Sequence, residues 1–406
     1  MKVIKIIFSL IFILPLCGCN FISGNEPNNV AFVVAVGFDK GKTSDYEITI
    51  QFARVTQISG GGGEEGGKGG SEIIQNVTVE APDLYSAINT ANHIVSKKFS
   101  LSHAKLIVFS SELATEGVGS IVNSVIRSEE IRPDIFMAVA KESARGYLDE
   151  VKPTVEVNPA KYYQLIYSES DSGGIPKTNL QKFYFDMNTR VNNSVLPLAG
   201  VAKGGEGEDN SEHEKAPMNE GGFEYRVKNY TAGEVAVNGE NKSEAMGMAV
   251  FEKDKMIGTL GSVESELYNL MSGNIRRSYI SFRVQDYKLP VVVKIYERRS
   301  PRIKVDTKEK KILIRFSLES DLLSQPVEGF DSKYLEEQIT KEISNACKNL
   351  IIKARDELNC DILGLEDEIK KKFLTIKKLD EFEFNLKDYE IEIETTFSIR
   401  RNGMKL

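Results

Sequence analysis

Between Ser332 and Asn359 the apolar residues Leu335, Ile339, Ile343, Cys347, Leu350, Ala354 and Leu358 recur every three or four positions. That spacing places them on one face of a helix, with Glu, Lys, Gln and Asn on the other faces. Such a helix draws most of its stability from burying its apolar face, so the rest of the chain must supply a surface to cover it. Nearby segments read as strands: Ser278–Val284, Val291–Arg298, Arg302–Asp306, Ile312–Leu318 and the alternating run Tyr389–Arg400. Gly364 breaks the helical pattern, and Leu365–Phe373 reads as a second helix.

The N-terminal half reads differently. Val30–Val36 is continuously apolar, Gly37 to Gly41 read as a turn, and Tyr46–Val55 alternates, which together predict a β-hairpin. Ser59–Ser71 is a Gly-rich loop and Ile73–Val79 a strand. Pro82 and Asp83 open a helix with Leu84, Ala87, Ile88, Ala91, Ile94 and Val95 on its inward stripe. Then follow a strand at Lys105–Phe109, a helix at Gly117–Arg127, a strand at Asp134–Ala140 and a short helix at Ser143–Val151. Helices are also expected at Ala160–Tyr167, Leu180–Asn188 and Val263–Met271, with strands at Val195–Ala202, Phe223–Val237 and a Gly247–Leu260 hairpin turning at Lys253-Asp254-Lys255. This order implies an α+β (mixed α/β), multi-lobed chain whose mixed sheets carry packed helices, the long amphipathic helix lying in the C-terminal part. The expected division is a signal peptide at 1–18, an N-terminal part at 19–202, a linker or exposed loop at 203–222 and a C-terminal part at 223–406.

Met1-Lys2-Val3-Ile4-Lys5 is basic, Ile6–Leu16 is apolar, and Leu16-Cys17-Gly18-Cys19 follows. These are the parts of an export signal, and the apolar stretch is shorter than the ~20 residues a spanning helix needs. Leu16-Cys17-Gly18-Cys19 resembles a bacterial lipobox. The resemblance implies cleavage before Cys19, a diacylglycerol on its thiol and a further acyl chain such as palmitate on its amine, and two chains hold a protein stably at a membrane. Cys17 is the rival acceptor, disfavoured by the bulky Leu16 before it. The net charge of −7 and pI near 5.4 argue against nucleic acid as a partner and against electrostatic docking on anionic lipid, which leaves the anchoring to the lipid. Cys347 and Cys360 fall in one helical pattern, ~20 Å apart along it, too far for a disulfide. Both read as buried thiols.

Four runs carry a family resemblance. They are Val33-Val34-Ala35-Val36-Gly37-Phe38-Asp39-Lys40; Leu101-Ser102-His103-Ala104-Lys105-Leu106-Ile107-Val108-Phe109 with Arg127–Arg132 after it; Gly247 to Gly258; and Cys360-Asp361-Ile362-Leu363-Gly364-Leu365 with Ile399-Arg400-Arg401-Asn402-Gly403. In this order the chain resembles the Ger(x)C family of spore-germination lipoproteins, the C subunits of nutrient germinant receptors. The resemblance implies a non-enzymatic lipoprotein at the outer face of the cytoplasmic (spore inner) membrane. There it would partner membrane-embedded A and B receptor subunits to trigger germination. Asn20 and Phe21 stand where the family usually has Trp-Asp, and the chain contains no Trp.

No catalytic residues, cofactor or metal ligands are expected. Gly62–Gly69 approaches a phosphate loop but has Gly69 where Ser or Thr should hold magnesium, and strands rather than a strand and a helix flank it. His93, His103 and His213 lack metal-ligand spacing. His103 reads as a packing or capping residue, with pH sensing as its functional alternative. Arg298-Arg299-Ser300-Pro301-Arg302 and Lys308–Lys311 are basic islands, read as solvated hairpin ends with a headgroup- or partner-facing role as the alternative. The alternative function is a solute-binding lipoprotein of an importer, which would need βαβ-wound lobes joined by hinge strands. The strand runs after residue 222 look antiparallel and fit that poorly.

Overall fold

Leu106-Ile107-Val108-Phe109 is apolar at every position because both faces of its strand are covered, the pattern of a sheet packed between two layers of helices. In a computed structural model of the chain, described for residues 29–53, 74–153, 155–156, 158–168, 173–189, 193–204, 223–225, 229–275, 277–284, 291–324, 331–373 and 384–402, this strand lies inside a nine-stranded sheet.

The first sheet is built from β1 (Val30–Lys40), β2 (Tyr46–Ala53), β3 (Ile74–Ala81), β4 (Lys98–Ser100), β5 (Leu106–Ser110), β6 (Phe136–Ala140) and β7 (Asn193–Val201), and is completed by a hairpin of β11 (Ser243–Glu252) and β12 (Lys255–Leu260). Its order is β12-β11-β7-β6-β5-β1-β2-β3, with β4 beside the start of β1. β1, β4, β5, β6 and β7 run parallel, and antiparallel pairs flank them. Alternate side chains serve two cores. Ile107, Phe109, Met137 and Val139 meet α1 (Leu84–Asn92), α2 (Ser111–Glu116), α3 (Gly119–Val125) and α6 (Leu180–Asn188). Leu106, Val108, Ala138 and Ala140 meet Ala144, Tyr147 and Leu148 of α4 (Ala144–Asp149) and Tyr163 and Tyr167 of α5 (Pro159–Ser168). Two-residue strands β8 (Lys203–Gly204) and β10 (Ala236–Val237) pair separately.

The second sheet has the order β16-β15-β14-β13-β9, from β9 (Phe223–Tyr225), β13 (Arg277–Val284), β14 (Val291–Asp306), β15 (Lys311–Leu322) and β16 (Glu390–Asn402). α7 (Ser262–Ser272), α8 (Ser332–Asp356) and α9 (Leu365–Lys370) pack on one of its faces. The α8 stripe Leu335, Ile339, Ile343, Cys347, Leu350 and Ala354 is buried there, as its spacing predicts. Val195, Met248, Val250 and Leu260 of the first sheet join the same core. The two sheets are therefore welded by shared side chains.

Several expectations change. The hairpin at 243–260 follows the 203–222 segment in sequence but completes the first sheet, so sheet membership does not divide there; most of 203–222 lies outside the described residues. The first turn falls at 41–45, not at Gly37–Gly41, because β1 continues beneath α4. Pro301 does not split 291–306. β14 passes through it at a shift of register, where a strand tolerates a missing N–H. Among the described residues, Phe223–Val237 holds two short strands rather than one long one. β4 and α2 escaped the sequence reading, being three and six residues long. α8 ends at Asp356, where the chain turns through a left-handed Asn359. β16 pairs parallel to β15, so the C-terminal sheet is mixed rather than antiparallel.

Candidate functional site

The residues that sequence reasoning singled out converge on helix ends and on the seam between the sheets. In the first run, Gly37 lies under α4, where a Cβ would meet Leu148 Cδ1 at 2.9 Å and Ala144 Cβ at 3.1 Å. Two residues on, the Asp39 carboxylate accepts the backbone N–H groups of Ala144 and Arg145 at 2.8 Å each. Burial raises the Asp39 carboxyl above the usual carboxylate range, while the two N–H bonds pull it down. This is a helix cap supplied from far along the chain, beside the local Ser143 cap on Gly146 N–H.

The hairpin run repeats the device. Lys253 takes a left-handed φ of 57° at the turn, and Asp254 then reaches α3, accepting Val118 N–H on its carbonyl at 2.9 Å and Gly119 N–H on its carboxylate at 3.2 Å. Gly117 and Gly119 make room for it: a Cβ on either would lie 2.8 Å or 2.7 Å from the carboxylate. Met248 to Phe251, before the turn, are all apolar because Ala249 and Phe251 enter the first core while Met248 and Val250 enter the second. This run is the seam itself.

In the run ending α8, Asp361 accepts Glu366 N–H at 3.0 Å, capping α9, while its backbone carbonyl receives Asn193 Nδ2 of β7 at 3.4 Å. Burial raises the Asp361 carboxyl, and its Oδ1 finds no partner among the described residues. Gly364 has φ 66°, which suits the residue before α9. Cys360 is buried with its thiol pushed up to about 12, first by burial and then by Asp361 and Glu252; Cys347 is likewise raised by burial. Both are free thiols. Beside this corner lies an open cleft of 890 Å³ at the seam, lined in part by Lys182, Asp186, Ser194, Tyr268, Glu368 and Lys371. Its charges are paired wall by wall: Lys182 with Asp186 at 2.6 Å, and Lys371 with Glu368.

The remaining candidates resolve into structure. His103 packs edge-on against Phe32 at 4.6 Å between ring centres, and its Nδ1 lies 3.0 Å from Ser102 Oγ. His93 ends α1, and His213 and Gly62–Gly69 lie outside the described residues, as does Cys19. The basic islands are partly neutralised by neighbours: Arg298 and Arg400 share Glu319, Lys310 meets Asp388, and Lys311 sits by Glu390 and Glu392. No group of three or more His, Cys, Asp or Glu with metal-holding geometry occurs among the described residues, and no helix there is long and apolar enough to cross a membrane.

Sequence reasoning missed two features. Glu266 of α7 is half-buried with Ser278 Oγ donating to it, and burial pushes its carboxyl up to about 7. Tyr147 and Tyr167 share a buried hydroxyl pair at 3.0 Å, beside Tyr163, which donates to Gln51. An isolated Glu on a helix gives no sequence signal of its surroundings. The tyrosine periodicity of α5 reads simply as core.

Comparisons with known proteins agree with this architecture. Residues 23–201 match the family described as "Spore germination protein N-terminal domain", and residues 246–403 match "Spore germination B3/ GerAC like, C-terminal". The chain is 21% identical over 427 residues to spore germination protein KC of Bacillus subtilis (strain 168), covering 100% of this chain and 97% of that protein. The crystal structure of the GerBC protein superposes with a TM-score of 0.52 at 13% identity, covering 90% of this chain and 97% of that one.

Proposed function

This chain belongs to the GerAC-like (Ger(x)C) spore germination family, and from that membership we propose that it is a lipid-anchored, non-enzymatic subunit of a nutrient germinant receptor. The carrying observation is that both family domains match in order along one chain, while the motif residues are committed to helix caps and to the inter-sheet seam. Asp39, Asp254 and Asp361 fix how α4, α3 and α9 sit on their sheets, which is the work of a scaffold. On this reading Cys19 carries the lipid and holds the protein at the outer face of the spore's inner membrane, where membrane-embedded A and B subunits would be its partners. Confinement to that plane raises its effective concentration near them. Germinant binding in the complex would act by shifting contacts that this subunit makes, as coupling between sites requires.

Deletion of the gene in the source organism, followed by optical-density loss of spores on a nutrient panel, tests the reading. Loss of the response to one nutrient class, with a normal response to a non-nutrient trigger, is expected. Complementation with wild type but not with Cys19→Ala should restore it. An intact response to every nutrient in a strain lacking all paralogues would overturn the proposal.

A further inference from the structure

The stripe predicted for α1 includes Ile94, yet the helix stops at Asn92 and Ile94 stands 64% exposed beyond it. Lys97 and the exposed Lys98 follow, and neither side chain makes a hydrogen bond or ion pair among the described residues. Lys98 lies opposite Val30, the residue at which β1 begins. β1, β4, β5 and β6 are parallel, so their starts share one end of the sheet, together with Lys105, Arg127 and Arg132 in the loops leading into β5 and β6. Among the described residues of these loops the acids are Glu129, Glu130 and Asp134. Glu130 accepts Leu101 N–H at 2.8 Å and Asp134 pairs with Arg132 at 2.9 Å. Within a chain of net charge −7, this end is locally basic and carries an exposed aliphatic side chain.

We propose that this end of the first sheet, with Ile94, Lys97 and Lys98 at its centre, rests on an anionic lipid surface. The inference rests on the lipid-anchor reading, because Cys19 precedes Val30 by eleven residues. Eleven residues span no more than ~40 Å even at full extension, so a lipid on Cys19 holds the β1 start within that distance of the bilayer. Ile94 enters the headgroup–acyl boundary, and the two ammonium groups meet the lipid phosphates. The contact then fixes which faces of the two sheets point away from the membrane.

The lipidated protein, reconstituted in vesicles, tests this directly. Cys347 and Cys360 are buried, so an environment-sensitive fluorophore on Ile94→Cys labels one place, and Lys42→Cys, just beyond the far end of β1, gives the control. In phosphatidylglycerol–phosphatidylcholine vesicles the label at 94 should shift to the blue and be quenched by spin-labelled lipid, and the label at 42 should not. The effect should weaken in phosphatidylcholine alone and at high salt. Lys97→Gln and Lys98→Gln should each lower the ratio of lipid-contacting to free label roughly fivefold, the equivalent of ~1 kcal/mol per basic residue at such a surface. A label at 94 as water-exposed as that at 42 overturns the proposal, as does protection appearing only when other membrane proteins are present. Mass spectrometry of the same sample reads acylation of Cys19 separately. If the lipid is absent, the anchor reading fails, and vesicle titration of the label at 94 in a Cys19→Ser background, which again leaves one reactive thiol, still decides the surface.

Discussion

Replacing Asp39 with Ala removes the acceptor of two backbone N–H groups at the first turn of α4, each held at 2.8 Å. Asp39 is itself buried, and Ala144, whose N–H it receives, is fully so. A buried donor left unpaired costs ~1–3 kcal/mol, and loss of a helix cap ~0.5–2 kcal/mol. Against this, the variant no longer buries a carboxylate, which is the main cause of the raised Asp39 pKa. The balance is about 2–4 kcal/mol, lost first from α4 and the Tyr147–Leu148 contacts that it presses onto the sheet. Native-state hydrogen exchange on α4 should therefore speed up roughly 30- to 1,000-fold, at ~1.4 kcal/mol per tenfold. Asp39→Asn keeps one acceptor oxygen and should fall between wild type and Ala. Unchanged protection of α4 in Asp39→Ala would refute the reasoning, and so would an equal loss in α8, which lies on the other sheet.

Three further outcomes are expected. Glu266 has its folded pKa raised to about 7, above the ~4.3 of an unfolded chain, so its contribution to stability is fully present below the lower value and is lost as pH rises through 7. Glu266→Gln should gain about 1–2 kcal/mol relative to wild type between pH 5 and pH 8, discounted for the partial exposure of the residue, and denaturation at the two pH values reads it. Cys347 and Cys360 should resist a thiol reagent at pH 8 in the native protein and both react in urea; rapid native labelling would contradict their burial and raised pKa values. Gly247→Ala, at φ 84° with a Cβ 2.6 Å from the Leu260 carbonyl oxygen, should destabilise by ~2 kcal/mol or more, whereas Gly239→Ala meets nothing within 4 Å and should be neutral in thermal unfolding.

What the sequence determined by itself was local and periodic. The three- and four-residue spacing of α8 defined its buried face, and the largely apolar runs at Val30–Val36 and Lys105–Phe109 announced strands, whose cover on both sides came only with the structure. Four ordered motifs were enough to mark the family, and the Gly-Cys step marked Cys19 as the expected lipid acceptor. What those motif residues do was not legible. Asp39 caps a helix 105 residues away and Asp254 one 135 residues away, so neither looks like a cap in its own neighbourhood. Likewise Met248 and Ala249 are equally apolar neighbours, yet they point into different cores, because only the packing of a second sheet against the end of the first gives a strand two interiors. Ile94 shows the converse. Its spacing put it on the buried stripe, but the helix ends before it, and the side chain is left outside. Periodicity reports which faces an element has, because side-chain direction follows from backbone geometry alone. Which faces are covered, where an element stops and which carboxylate meets which N–H depend on residues far apart in sequence, and the tertiary structure alone brings those together.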